Sequence, residues 1–145
     1  MRLFSVLVIA IAVLIHAPAM AEEASPKALL YKNPQCGCCE GHAYFLRKAG
    51  FDVTVKATHD LLLIKQKYGV PEHLEGCHTT LIEGYVIEGH VPIATLNRLL
   101  AERPDIRGIS LPGMPQGSLG MSGDKTEPFV IYELSDGPPK VYDVE

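Results

Sequence analysis

Three of the four cysteines in this chain fall within four residues, Cys36-Gly37-Cys38-Cys39. They follow a short apolar run, Ala28-Leu29-Leu30-Tyr31, and a break at Asn33-Pro34, and they stand where a helical pattern begins. Cysteines placed so closely cannot form a stabilising disulfide framework, because a staple works by closing long loops between distant segments. The fold must therefore rest on a core of its own. The cysteines instead concentrate soft donor atoms at one strand-to-helix junction. At a helix N-terminus the backbone dipole favours thiolate, the form that acts as nucleophile and as metal ligand.

The rest of the composition fits one small domain. The chain has 145 residues, of which 47% are hydrophobic, enough to bury a core and to exclude disorder of the whole. The formal net charge is −4 with no run of like charges, so the basic face of a nucleic-acid binder is missing.

Residues 1–21 read as a cleavable secretory signal. Arg2 gives a positive start, residues 3–15 are apolar except for Ser5, and Ala19-Met20-Ala21 has the small-x-small form of a cleavage site. The apolar run is shorter than the roughly 20 residues of a spanning helix, which disfavours the alternative of an uncleaved anchor. No cysteine lies near the cut to carry a lipid. The expectation is a single domain over residues 22–145, exported to the periplasm and free of the membrane after cleavage. Thiols there meet an oxidising compartment, where four cysteines would ordinarily pair as two disulfides.

Periodicity supplies the element order. The run at residues 28–31 suits a buried strand. From about residue 38 to 49 the spacing of Cys39, Ala43, Leu46 and Ala49 is helical, and Gly50 is placed to end the helix. Residues 51–56 alternate as a strand. Thr58 is placed to cap a second helix with Leu61, Ile64 and Tyr68 on one face, ended by Gly69 and Pro71. Residues 79–83 and 86–88 read as a hairpin turning at Gly84-Tyr85. Pro92 opens a third helix carrying Ile93, Leu96 and Leu100. Residues 105–127 show no period, and residues 129–133 and 140–144 form a last hairpin around Asp136-Gly137. The resulting α/β order, β-α-β-α-β-β-α with a C-terminal loop and hairpin extension, is that of a thioredoxin-like fold. A right-handed crossover puts the cysteine cluster at the C-terminal edge of the sheet, where α/β folds place their sites.

Cys77 stands just before the third strand, in Gly76-Cys77-His78-Thr79-Thr80. In this order of elements that segment packs beside the junction, and a substrate-guiding proline usually occupies it. Two potential ligands stand there instead, which points from disulfide exchange toward metal binding. A disulfide from Cys77 to one of the clustered cysteines is the plainer alternative. His42 follows Cys38 and Cys39 by four and three residues, so it shares their helix face as a secondary candidate. His59, His73 and His90 have no partner spacing. The loop from Gly113 to Met121 carries Met114 and Met121, soft thioethers that suit Cu(I) or simply pack, and its length suits a lid over the cluster. Only one C-x-x-C knuckle is present where a structural zinc site commonly has two. Adjacent cysteines also suit bridging between ions better than wrapping one. Copper is the favoured metal and zinc the alternative.

These segments together resemble the CopG-type copper-resistance proteins, a family formerly catalogued as a domain of unknown function: Lys32-Asn33-Pro34-Gln35-Cys36-Gly37-Cys38-Cys39, Gly76-Cys77-His78-Thr79, Glu88-Gly89-His90-Val91-Pro92 and Gly113-Met114-Pro115. Leu119 stands where the family pattern leads one to expect a second proline. The resemblance runs from about residue 27 to 133. It implies an exported thioredoxin-like protein that holds a thiolate-bound cluster of more than one copper ion, as Cu(I), and contributes to copper tolerance. The ligands it implies are Cys36, Cys38, Cys39, Cys77 and, with them, His78. It further implies exchange with other periplasmic copper-handling proteins and conversion between Cu(I) and Cu(II). The competing reading is a periplasmic thiol–disulfide oxidoreductase using Cys36 and Cys39.

Overall fold

Strand β1 (Lys27–Lys32) buries Ala28, Leu30 and Lys32 on one face. It leads through Asn33-Pro34 into helix α1 (Gly37–Lys48), β2 (Asp52–Ala57), α2 (Leu61–Lys67) and a single 3-10 turn at Glu72–Leu74. The hairpin β3 (His78–Ile82) and β4 (Tyr85–Glu88) follows, then α3 (Ile93–Glu102), β5 (Gly108–Ser110), β6 (Val130–Glu133) and β7 (Val141–Val144). The structure is a computed structural model, and it describes residues 24–145. The leader expected at residues 1–21 lies outside these.

The strands form one seven-stranded sheet in the order β2-β1-β3-β4-β5-β6-β7. β1 runs parallel to β2 and antiparallel to β3, with Lys32 opposite His78 at the edge that carries the cysteines. The core joins Leu30, Ile82 and Ile87 of the sheet to Cys39, Ala43 and Leu46 of α1 and to Leu96 and Leu99 of α3. Each such large aliphatic side chain contributes about 1.5–3 kcal/mol by leaving water. Cys39 belongs to this core and is fully buried.

Local departures from the sequence pattern have physical causes. The β3–β4 turn is made by Glu83 (φ +48°) and Gly84 (φ +91°), one residue earlier than Gly84-Tyr85. Two successive positive φ values match the right-handed twist of a tight hairpin, and Tyr85 pairs with Ile82. Residues 108–110, inside the stretch without period, form β5 parallel to β4; three residues are too few to show alternation. Ala49 is exposed as the α1 C-cap, so the buried face of α1 is Cys39, His42, Ala43 and Leu46. Thr58 does not cap α2 itself; its Oγ1 accepts from the Asp60 N–H at 3.0 Å, and the helix begins at Leu61. The most buried residue of α2 is Lys65, with Leu61, Ile64 and Tyr68 only half-buried and Leu62 and Leu63 exposed.

Candidate metal centre

The β1–α1 junction presents its cysteines in a fixed arrangement. Cys36 is the N-cap of α1, and its Sγ accepts the Cys39 N–H at 3.3 Å. Lys32 holds the loop from below. Its buried ammonium donates to the carbonyls of Asn33 (3.3 Å), Pro34 (3.2 Å) and Cys36 (3.3 Å) and pairs with Glu40 at 3.0 Å. Cys36 and Cys39 are joined by a disulfide, with Cα atoms 5.5 Å apart. Cys38 and Cys77 are free thiols. The plainer alternative, a bridge from Cys77 to the cluster, is not the pairing found.

All four sulfurs converge. Cys38 Sγ lies 3.4 Å from Cys36 Sγ, and Cys77 Sγ lies 3.6 Å from Cys39 Sγ. One donor atom from each of Cys36, Cys38, Cys39 and Cys77 falls within 4.8 Å of every other. Cys77, arriving just before β3, thus completes a four-sulfur group whose nearest member in the chain, Cys39, lies 38 residues earlier.

A second group adjoins it through the same Cys77. Its Sγ is 3.3 Å from His78 Nδ1 and 2.8 Å from His90 Nε2. The three donors of Cys77, His78 and His90 again lie within 4.8 Å of one another. His42 packs behind them, with ring centroids 4.8 Å from His78 and 5.1 Å from His90; His78 and His90 are 4.8 Å apart, edge to face. All three histidines are buried. Sequence spacing offered His42 and His78 but left out His90.

The protonation of this cluster follows from its surroundings. The Leu119 carbonyl accepts from His90 Nδ1 at 2.6 Å and from His42 Nδ1 at 3.1 Å. A ring whose Nδ1 carries the hydrogen leaves Nε2 with a free lone pair. His90 therefore turns a basic nitrogen toward Cys77. His78 Nε2 is buried without a hydrogen-bond partner among the described residues. Burial keeps the rings neutral: His42 is lowered to about 4, His78 well below the ordinary value, and His90 lowered as well. The neighbouring rings add to this at His42 and His78. Burial, with Cys38 beside it, pushes the Cys77 thiol up to about 12. Neutral imidazoles are ready to ligate, whereas a thiol held protonated ionises only when a cation compensates its charge.

The residue 113–121 loop closes the site from above. Gly113 N–H donates to Glu75 O at 2.8 Å, and Gly113 bridges to Gly76 beside Cys77. Gly120, at φ +94°, lies against α1 so closely that a Cβ would meet Cys38 O and His42 N, both at 2.5 Å. The loop therefore covers the cluster through the Leu119 carbonyl. Met114 is 59% exposed and Met121 half-buried.

Two comparisons with known proteins bear on this centre. A family model described as a protein of unknown function, DUF411, matches residues 74–121, the span that carries Cys77, His78, His90 and the closing loop. A solved structure titled copper resistance protein CopG, form 2, is similar with a TM-score of 0.76 and 35% identity, covering 83% of this chain and 98% of its own. Form 1 of that protein gives 0.75 and 36%, covering 82% and 96%. No curated protein sequence matches.

Proposed function

The chain belongs to the CopG copper-resistance protein family, and from that premise we propose that it binds copper at the cysteine–histidine centre and contributes to copper tolerance. The observation that carries this reading is the pair of donor groups, four sulfurs and a Cys-His-His set, sharing Cys77. A thiolate common to two groups suits bridging, so the centre holds more than one ion. Thiolates select Cu(I), and imidazoles extend the range to Cu(II). The residues that would hold copper are Cys36, Cys38, Cys39, Cys77, His78 and His90. His42 supports them, and Met114 and Met121 remain outer candidates.

The fit rests on the donors themselves. His78 Nε2 is a buried polar atom with no partner among the described residues, and His90 is held in the tautomer that frees Nε2. Neutral buried ligands beside a cation-dependent thiol favour a soft metal over a proton. Zinc takes the same donors but commonly one ion in a closed tetrahedron. With the expected leader at residues 1–21, the protein works in the periplasm after export.

A second reading draws on the disulfide. Cys36–Cys39 with Cys77 Sγ 3.6 Å from Cys39 Sγ is an arrangement for thiol–disulfide exchange. Titrating the reduced protein with Cu(I) against a competing chelator, and in parallel with Zn(II), separates the readings. More than one tightly held Cu(I) per chain supports the copper centre. Weak binding of either metal, together with copper-independent disulfide exchange, supports the oxidoreductase.

A further inference from the structure

A buried ion pair, Lys65 with Glu88, lies directly behind the two segments that bring Cys77 and His90 together, and the sequence pattern gave no sign of it. Both side chains are out of solvent, at 5% and 0% exposure. Charged groups are almost never buried this fully unless their hydrogen bonds are completed. Here they are completed on the residue just before Cys77. Lys65 Nζ donates to Gly76 O at 3.0 Å, and Glu88 Oε1 accepts from Gly76 N at 2.7 Å. Lys65 also reaches Thr79 Oγ1 at 3.4 Å, and that hydroxyl donates to Glu88 Oε2 at 2.7 Å. Among the described residues, every side-chain hydrogen bond of the pair outside itself falls on Gly76 or Thr79, the residues flanking Cys77-His78.

Glu88 also stands two residues before His90 in the chain. Gly89, at φ +74°, turns back between them, and its N–H donates to His78 O at 2.9 Å. Gly76 and Gly89 meet so closely that a Cβ on Gly76 would come within 2.5 Å of Gly89 Cα. One ion pair therefore fixes both polar groups of Gly76 to the strand that delivers His90. Burying two charges seldom adds net stability over a well-packed apolar pair of similar volume. Such a pair is better suited to specifying a geometry.

We propose that Lys65 and Glu88 are positioning residues for the copper centre, clamping the Gly76 peptide so that Cys77 Sγ meets His90 Nε2. The inference rests on the copper reading and deepens it. The pair makes no hydrogen bond to a sulfur or imidazole of the centre among the described residues, and it holds the centre by the Gly76 backbone.

The test uses the mature chain, reduced and metal-free, with Cu(I) as probe. The double variant K65M/E88L removes both charges at once, so neither is left uncompensated. Its fold is checked by circular dichroism. Its Cu(I) affinity is expected to fall at least tenfold, and the nitrogen share of the copper shell, read by X-ray absorption, to shrink while the sulfur share persists. A folded double variant with unchanged affinity and unchanged nitrogen shell overturns the proposal. Hydrogen exchange at the Gly76 amide tests the clamp independently of copper: slow exchange in the wild type that speeds up in the double variant supports it, and fast exchange in the wild type overturns it. A wild type that binds no Cu(I) would sink the copper reading, while the Gly76 amide still reports on the clamp.

Discussion

Cys77 Sγ and His90 Nε2 sit 2.8 Å apart, thirteen residues distant in sequence, Cys77 just before β3 and His90 just after β4 of one hairpin. The contact makes Cys77 common to a thiolate group and an imidazole group. Replacing His90 by alanine is therefore expected to weaken Cu(I) binding at least tenfold, about 1.4 kcal/mol, and to leave the four-sulfur group occupied. Competition titration with X-ray absorption reads both. Unchanged affinity in a folded His90→Ala protein would remove His90 from the centre.

The closing loop has no room for a side chain at Gly120. Its positive φ and its approach to Cys38 O and His42 N mean that Gly120→Ala must push the loop off α1. The expected cost is about 1–3 kcal/mol, seen as a fall of several degrees in the melting temperature. Loss of the Leu119 acceptor would also weaken copper binding. Gly137→Ala, in open space and without positive φ, is the control and is expected to be neutral.

Acid should destabilise the metal-free, reduced protein through its buried imidazoles. Burial lowers His42 from 6.5 to about 4, so between these values the unfolded chain takes up a proton that the folded chain refuses. The stabilising contribution is full above pH 6.5 and is lost as pH falls toward 4, on the order of 3 kcal/mol for His42. His78 and His90 shift in the same direction. Thermal unfolding from pH 7 to 4.5 is expected to show a steep fall that flattens in His42→Gln. A flat wild-type profile would contradict the burial account.

In the proposed centre the Cys36–Cys39 disulfide and copper would draw on the same sulfurs. Oxidised protein is expected to take up fewer Cu(I) ions than protein treated with a non-thiol reductant, and removing that reductant after loading should not release the metal. Thiol counts alongside copper titration measure this. Equal uptake by both forms would mean that Cys36 and Cys39 are not ligands.

Much of this architecture was legible because local chemistry and tertiary structure agree. The clustered cysteines, the helical spacing behind them and Gly50 place the β1–α1 junction without any long-range information. His90 was missed through one residue of turn register. With the turn at Glu83-Gly84, the pairs Ile82–Tyr85 and Thr79–Glu88 continue to Cys77 opposite His90. A turn at Gly84-Tyr85 carries the register past it. Two successive left-handed residues suit Asn-Gly or Asp-Gly pairs best, and Glu83 in the first position gives a weak signal. Lys65 was hidden differently. Apolar spacing marked Leu61, Ile64 and Tyr68, but the helix turns an ammonium inward because Glu88 and Gly76 wait there. No one-dimensional pattern reports a buried charge whose partner lies 23 residues away.

The most direct measurement is copper per chain, by elemental analysis, in reduced mature protein loaded with Cu(I) and freed of excess metal. Wild type, Cys38→Ser and Cys77→Ser are compared. The expected result is more than one tightly held copper ion in the wild type and a clear loss in both variants, the larger in Cys77→Ser because it belongs to both donor groups. A wild type that retains no copper, or a Cys77→Ser protein that keeps the full complement, would contradict a shared cysteine–histidine copper centre.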